Sequence, residues 1–102
     1  MARLKKLPPI HPGEILLEDF MKPLGLSMNR VALELRVPVT RIGEIVHGRR
    51  GITADTALRL GRYFNISPRF WLNAQAAYDL EVAEDALAEQ VEREVRPIAV
   101  HG

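Results

Sequence analysis

Apolar positions along this chain recur at spacings of three and four, and no segment sustains the every-second-residue alternation of a half-buried strand. The pattern predicts an all-α fold of five helices. The first begins at Pro12, because proline tolerates the opening helical position, where its missing N–H would have had no partner. Glu14 suits the dipole of that first turn, Ile15, Leu16 and Phe20 form the apolar face, and Pro23 with Gly25 ends the segment. Ser27 is a good cap for a second helix over 28–35, with Val31, Ala32 and Leu35 on one side. After a break at Arg36–Val37, Pro38 opens a third short helix striped by Ile42, Ile45 and Val46, and Gly48 stands where a left-handed residue would close it. Thr53 caps a fourth helix running through Phe64, with Asn65 closing it. Ser67–Pro68 opens a fifth through Phe70, Trp71, Leu72, Tyr78 and Leu80. Leu80, Ala83, Leu87 and Val91 carry that helix, or a successor, to about Arg96, before Pro97.

Composition narrows the class. A chain of 102 residues with 47% hydrophobic and 26% charged content is sized for one folded domain. The division expected is an arm over 1–10, a helical domain over 11–80 and an acidic helical tail over 81–102. With no cysteine there is no disulfide, thiol nucleophile or cysteine-based zinc site. Apolar runs are only a few residues long, which predicts no membrane span, and no apolar stretch follows the basic N-terminus as in a secretory signal. A cytoplasmic protein is the resulting expectation. The net charge of +1 conceals a division: residues 1–73 hold 12 Lys/Arg against 6 Asp/Glu, whereas residues 74–102 hold 2 against 7. A basic body at +6 suits an anionic partner, and a tail at −5 suits a different role.

Residues 27–48 are the informative stretch. A capped helix, a three-residue turn and a short helix closed by glycine have the layout of a helix-turn-helix, whose second helix enters the DNA major groove. Ala32 is small where two such helices would cross, and Val37, Ile42 and Ile45 would hold the second against the first. Val39, Thr40, Arg41, Glu44 and His47 are left pointing away. They offer an apolar contact for a thymine methyl, a hydroxyl, a guanidinium for guanine or phosphate, and an acceptor for cytosine N4. The amide end of the second helix at Ser27, with Asn29 and Arg30 beside it, suits a phosphate. Two features depart from the generic motif: Arg36 stands where glycine is expected in the turn, and Pro38 replaces a Ser/Thr cap. Periodicity alone also fits a packed helix pair with no nucleic-acid role.

Three longer stretches carry a family resemblance: HPGEIL at 11–16, LRVPVTRIGEIVHGRRGITADTALRLGRYF at 35–64 and SPRFWLNAQAAYDL at 67–80. Through them, over about residues 9–84, the chain resembles the HigA-type antitoxins of the phage-repressor-like (Xre) helix-turn-helix family. In that branch a proline at the head of the recognition helix is usual, so Pro38 fits. The resemblance implies a five-helix repressor-like domain that forms a homodimer and binds double-stranded, palindromic operator DNA in its own promoter. It also implies a partner, a RelE-like ribonuclease toxin of the HigB type, which the antitoxin neutralises. Mapped residue by residue, Val39, Thr40 and Glu44 fall at base-reading positions and Arg41 at the groove edge. His47, Arg49 and Arg50 fall beside the DNA backbone. The dimer contact falls on Phe70, Trp71, Leu72 and Leu80, with some of the three adjacent bulky residues filling the core instead. Gly61, mid-helix, signals close packing or a local weakness.

Other chemistry is thinly supported. His11 and Glu14 make at most half a metal site, with His47 and His101 far off in sequence, and neither a metal nor a cofactor is expected. No nucleophile motif or phosphate-cradling glycine loop is present, so catalysis is not expected. Glu81, Glu84, Asp85, Glu89, Glu92 and Glu94 read as a solvated helix face, or as a contact for a basic toxin. Arg3, Lys5 and Lys6 read as a disordered arm or as one reaching DNA. Two alternatives remain beside the antitoxin: a solitary regulator of the same fold with no toxin, and a toxin-neutralising module that does not touch DNA.

Overall fold

Side chains at the helix starts explain much of the architecture. The structure, a computed structural model, describes residues 7–99 and contains five helices and no strand among them. Helix α1 is one continuous helix of three segments, Pro12–Ile15, Leu16–Met21 and Lys22–Leu24, the middle one in the wider π register. His11 opens it, its Nδ1 accepting the Gly13 N–H at 2.9 Å. Pro23 does not end α1 as the sequence suggests. The wide turn bonds the Lys22 N–H to the Leu17 carbonyl, five residues back, and the helix takes in the proline and ends at Gly25, which is left-handed at φ 65°. Helix α2, Met28–Leu35, is capped by Ser27, whose Oγ accepts the Arg30 N–H at 3.0 Å.

The turn after α2 puts Arg36 at φ 61°, a left-handed conformation that costs an L-residue about 1–2 kcal/mol. Pro38 stays extended and acts as the cap, so helix α3, Val39–Val46, starts one residue later than the proline itself. Gly48 follows at φ 73°. Thr53 precedes helix α4, Ala54–Phe64, without a side-chain capping bond, and Asn65 closes it at φ 56°. Ser67 Oγ accepts the Arg69 N–H, and helix α5 then runs unbroken for 27 residues, Pro68–Glu94, about 40 Å of helix.

The core is formed by Leu16, Met21, Val31, Ala32, Leu35, Ile42, Ile45, Ile52, Ala57, Leu60 and Trp71. Phe20 links the aromatic corner, 5.0 Å from Phe64 and 5.1 Å from Trp71 between ring centroids. Trp71 is fully buried, and its indole N–H has no hydrogen-bond acceptor among the described residues. It therefore fills the monomer core, and its assignment to a dimer contact is corrected. Successive helical residues point about 100° apart, so Phe70 and Leu72 flank it and remain exposed. Gly61 is a point of close packing: a Cβ there would lie 2.6 Å from the Ile66 carbonyl oxygen. From Val82 onward every described residue is exposed, so α5 leaves the core at about Glu81.

Candidate nucleic-acid interface

Helix α3 spends one side entirely on the core. Ile42 and Ile45 are completely buried, and Ala32 of α2, 3% exposed, meets the size limit of a close crossing. The Val37 N–H donates to the Ala32 carbonyl at 3.0 Å, which fixes the turn between the two helices. On the other side of α3 lie Val39, 43% exposed, with Thr40 and His47 exposed and Gly43 and Glu44 half-buried. The sequence-predicted positions 39, 40, 44 and 47 thus share one outward face. His47 Nδ1 lies 2.7 Å from the Gly43 carbonyl oxygen, which can only accept, so Nδ1 is the donor of that bond.

The charged residues are more ordered than their spacing suggests. Arg41 turns sideways toward α4, its Nη1 2.9 Å from Asp55 Oδ2. Asp55 is also held by Arg59, whose Nε is 3.2 Å from both carboxylate oxygens and whose Nη1 donates to the Leu35 carbonyl at 2.9 Å. Hydrogen bonds from Arg59 and then Arg41 hold the Asp55 carboxyl below its ordinary pKa. Glu44 pairs with Arg50 at 3.0 Å, and Arg30 with Glu34 at 3.1 Å. Arg49 is exposed and makes no ion pair with another described residue. Ser27, Asn29 and Arg30 are exposed at the start of α2, where first-turn amides have no intrahelical acceptors.

Sequence reasoning missed the partners of these groups. Asp55 and Arg59 carry the visible four-residue spacing of a helical ion pair, but nothing in the sequence joins Arg41 to a residue 14 positions away. Gln75 was also missed: its Oε1 accepts the Ile52 N–H at 2.7 Å and ties the basic loop to α5. Along α5, the exposed Leu80 is continued by Leu87 and Val91, 62%, 47% and 50% exposed, in an apolar stripe. Arg3, Lys5, Lys6 and His101 lie outside the described residues. Among the described residues no cluster of three metal-ligating side chains occurs, and no helix is long and apolar enough to cross a membrane.

Two short helices crossing closely through a tight turn, the second with one side in the core and the other facing outward, define a helix-turn-helix protein, and the helix-turn-helix family model matches residues 17–71. The chain belongs to that Xre-type helix-turn-helix family, on its HigA branch. Virulence-associated protein I of Dichelobacter nodosus is 58% identical over 83 residues, 81% of this chain and 77% of that protein. The HTH-type transcriptional regulator YbaQ of Escherichia coli strain K12 is 37% identical over 84 residues, 82% of this chain and 74% of that one. Among solved structures, the Pseudomonas aeruginosa antitoxin HigA with the higBA promoter superposes with a TM-score of 0.87 at 44% identity, covering 89% of this chain and 99% of that one. The family is one of regulators and antitoxins, not enzymes.

Proposed function

We propose that this chain is the antitoxin and autorepressor of a type II toxin–antitoxin module. It acts as a homodimer that lays α3 into the major groove of a palindromic operator in its own promoter, and it neutralises a HigB-type ribonuclease toxin. The observation that carries this reading is the outward face of α3, which the fold leaves open in a chain 44% identical to an antitoxin HigA whose structure was solved with the higBA promoter. On that face Val39 meets a thymine methyl, Thr40 a base edge and Glu44 a cytosine N4 amine. Arg41 stands at the groove edge. Ser27, Asn29 and Arg30 on one side, and His47, Arg49 and Arg50 on the other, meet phosphates. Phe70, Leu72 and Leu80, extended by Leu87 and Val91, form the contact between protomers. Basic groups at the interface make binding salt-dependent, with a slope of about −0.9 in log K against log salt for each phosphate neutralised.

The test is a titration of the chain's own promoter fragment against a scrambled duplex over a salt series. Tighter binding to the promoter that weakens steeply with salt is expected, as is a loss of affinity in Thr40→Ala that leaves toxin binding intact. Equal binding to both duplexes would reject the operator reading. The toxin half is tested by co-expressing the small basic protein encoded beside this chain and measuring growth rescue and co-purification. A second reading, a solitary regulator, is favoured by the similarity to YbaQ, and the absence of any such neighbouring reading frame would select it.

A further inference from the structure

We infer that Asp55 is a positioning residue for operator selectivity: it fixes the guanidinium of Arg41 so that this side chain reads one place at the groove edge instead of roaming over phosphates. The inference rests on the DNA-binding reading above. Arg41 lies between the outward face of α3 and the core, with its side chain 28% exposed. A free arginine has several rotatable bonds and finds a phosphate on any duplex. Here one terminal nitrogen is already engaged, 2.9 Å from Asp55 Oδ2, which leaves the other edge of the planar fork to donate outward.

Asp55 is itself held by a second arginine. Arg59 donates to both of its oxygens at 3.2 Å and anchors to the Leu35 carbonyl at 2.9 Å. The chain of contacts therefore runs from the end of α2, through α4, to the recognition helix. It borders an open cleft of about 460 Å³ lined also by Arg50, Thr53 and Thr56. The carboxylate also offsets the charge of Arg41 itself beside the DNA surface. That lowers affinity for every duplex alike and by itself leaves the ratio between duplexes unchanged, so the ratio reports the positioning and the salt slope reports the freed charge. Glu44, which faces Arg50 at 3.0 Å, restrains a loop arginine; Asp55 is distinct in acting from another helix and in being held by a third residue.

The experiment compares operator and scrambled-duplex affinities for wild type, Asp55→Asn, Arg41→Ala and the double variant, each over a salt series, with thermal melts alongside. Asp55→Asn is expected to bind scrambled DNA more tightly, to lose about five- to tenfold in the operator-to-scrambled ratio, and to steepen the scrambled-DNA salt slope by about one. In the Arg41→Ala background the same change should leave the ratio and the slope where Arg41→Ala alone puts them. An unchanged ratio in Asp55→Asn, or an equal fall with and without Arg41, overturns the inference. If Asp55→Asn melts below the assay temperature, Asp55→Ser, another residue favoured at helix starts, takes its place. Failure of the wild type to prefer its operator overturns the DNA-binding reading and this inference with it. Wild-type preference combined with an inert Asp55→Asn overturns the inference alone.

Discussion

Three backbone positions divide cleanly between what folding needs and what the outward face needs. Arg36 is left-handed at φ 61°, where a glycine has no steric cost. Arg36→Gly should therefore raise thermal stability by up to about 1 kcal/mol, read as a higher melting temperature. Gly61 is the reverse case: a Cβ would meet the Ile66 carbonyl oxygen at 2.6 Å, so Gly61→Ala should lower the melting temperature although alanine is the better helix former. Gly43 sits on the outward side of α3, and a Cβ there would approach nothing closer than Met28 Sδ at 4.0 Å. Gly43→Ala should stabilise the helix by up to about 1 kcal/mol and yet weaken operator binding, because the added methyl stands between helix and groove. Loss of stability together with undiminished operator affinity would contradict that assignment. Arg36 was legible as a strained turn residue because glycine was missing from a known layout. Gly61 signalled close packing or a local weakness because it stands mid-helix, where alanine is favoured; Gly43 stands mid-helix too, and nothing local tells the open position from the packed one.

At the scale of helices, apolar periodicity and capping residues made every helix legible, because local spacing determines both. Errors fell where a local change of helical register or a distant contact decides the outcome. Pro23 looks like a terminator in isolation, yet the π turn ahead of it lets α1 reach Gly25. Phe70, Trp71 and Leu72 are equally bulky on paper, and only the surrounding helices determine that Trp71 is the one buried. The Arg41–Asp55 contact joins two helices and has no local signature. His11 shows how such junctions respond to conditions. It caps α1 through Nδ1, stands edge-on to Tyr78 of α5 at 4.8 Å, and would touch a Cβ at Gly48, just past α3, at 3.8 Å. Burial lowers its pKa from 6.5, against a smaller raising effect of Asp79. The unfolded chain then binds the proton more readily, so stability is full above that ordinary value and falls as pH drops through the lowered one. His11→Asn keeps a capping acceptor without the titration. Melting temperature should fall with acidification in the wild type over this window and stay flatter in the variant; parallel curves would remove His11 from the account.

For the molecule as a whole, charge and shape divide along the same line. The excess of arginine surrounds α3 and α4, whereas the carboxylates cluster on the part of α5 that has left the core. The apolar stripe of Leu80, Leu87 and Val91 runs through that acidic segment, and the proposed homodimer buries it. Leu87→Glu should shift the protein to a monomer in sedimentation and cost much of its operator affinity, while the melting of the 11–80 domain stays near wild type. A dimer of undiminished stability would send the protomer contact elsewhere. The tail's helix was legible from its periodicity, and its acidic composition set it apart from residues 11–80; that it continues α5 without a break was not legible, since local spacing serves a continued helix and a successor equally well.

The unbroken length of α5 has a mechanical consequence. Trp71 roots the helix in one domain, and the stripe that would grip a second copy starts nine residues further along the same rigid rod. The rod then works as a gauge, converting the distance along α5 into the separation and relative tilt of two recognition helices. One residue inserted between Tyr78 and Leu80 would turn the stripe by about 100° and advance it by about 1.5 Å without touching any DNA contact. Operator spacing would thus be written in the phase of a helix that never meets the DNA.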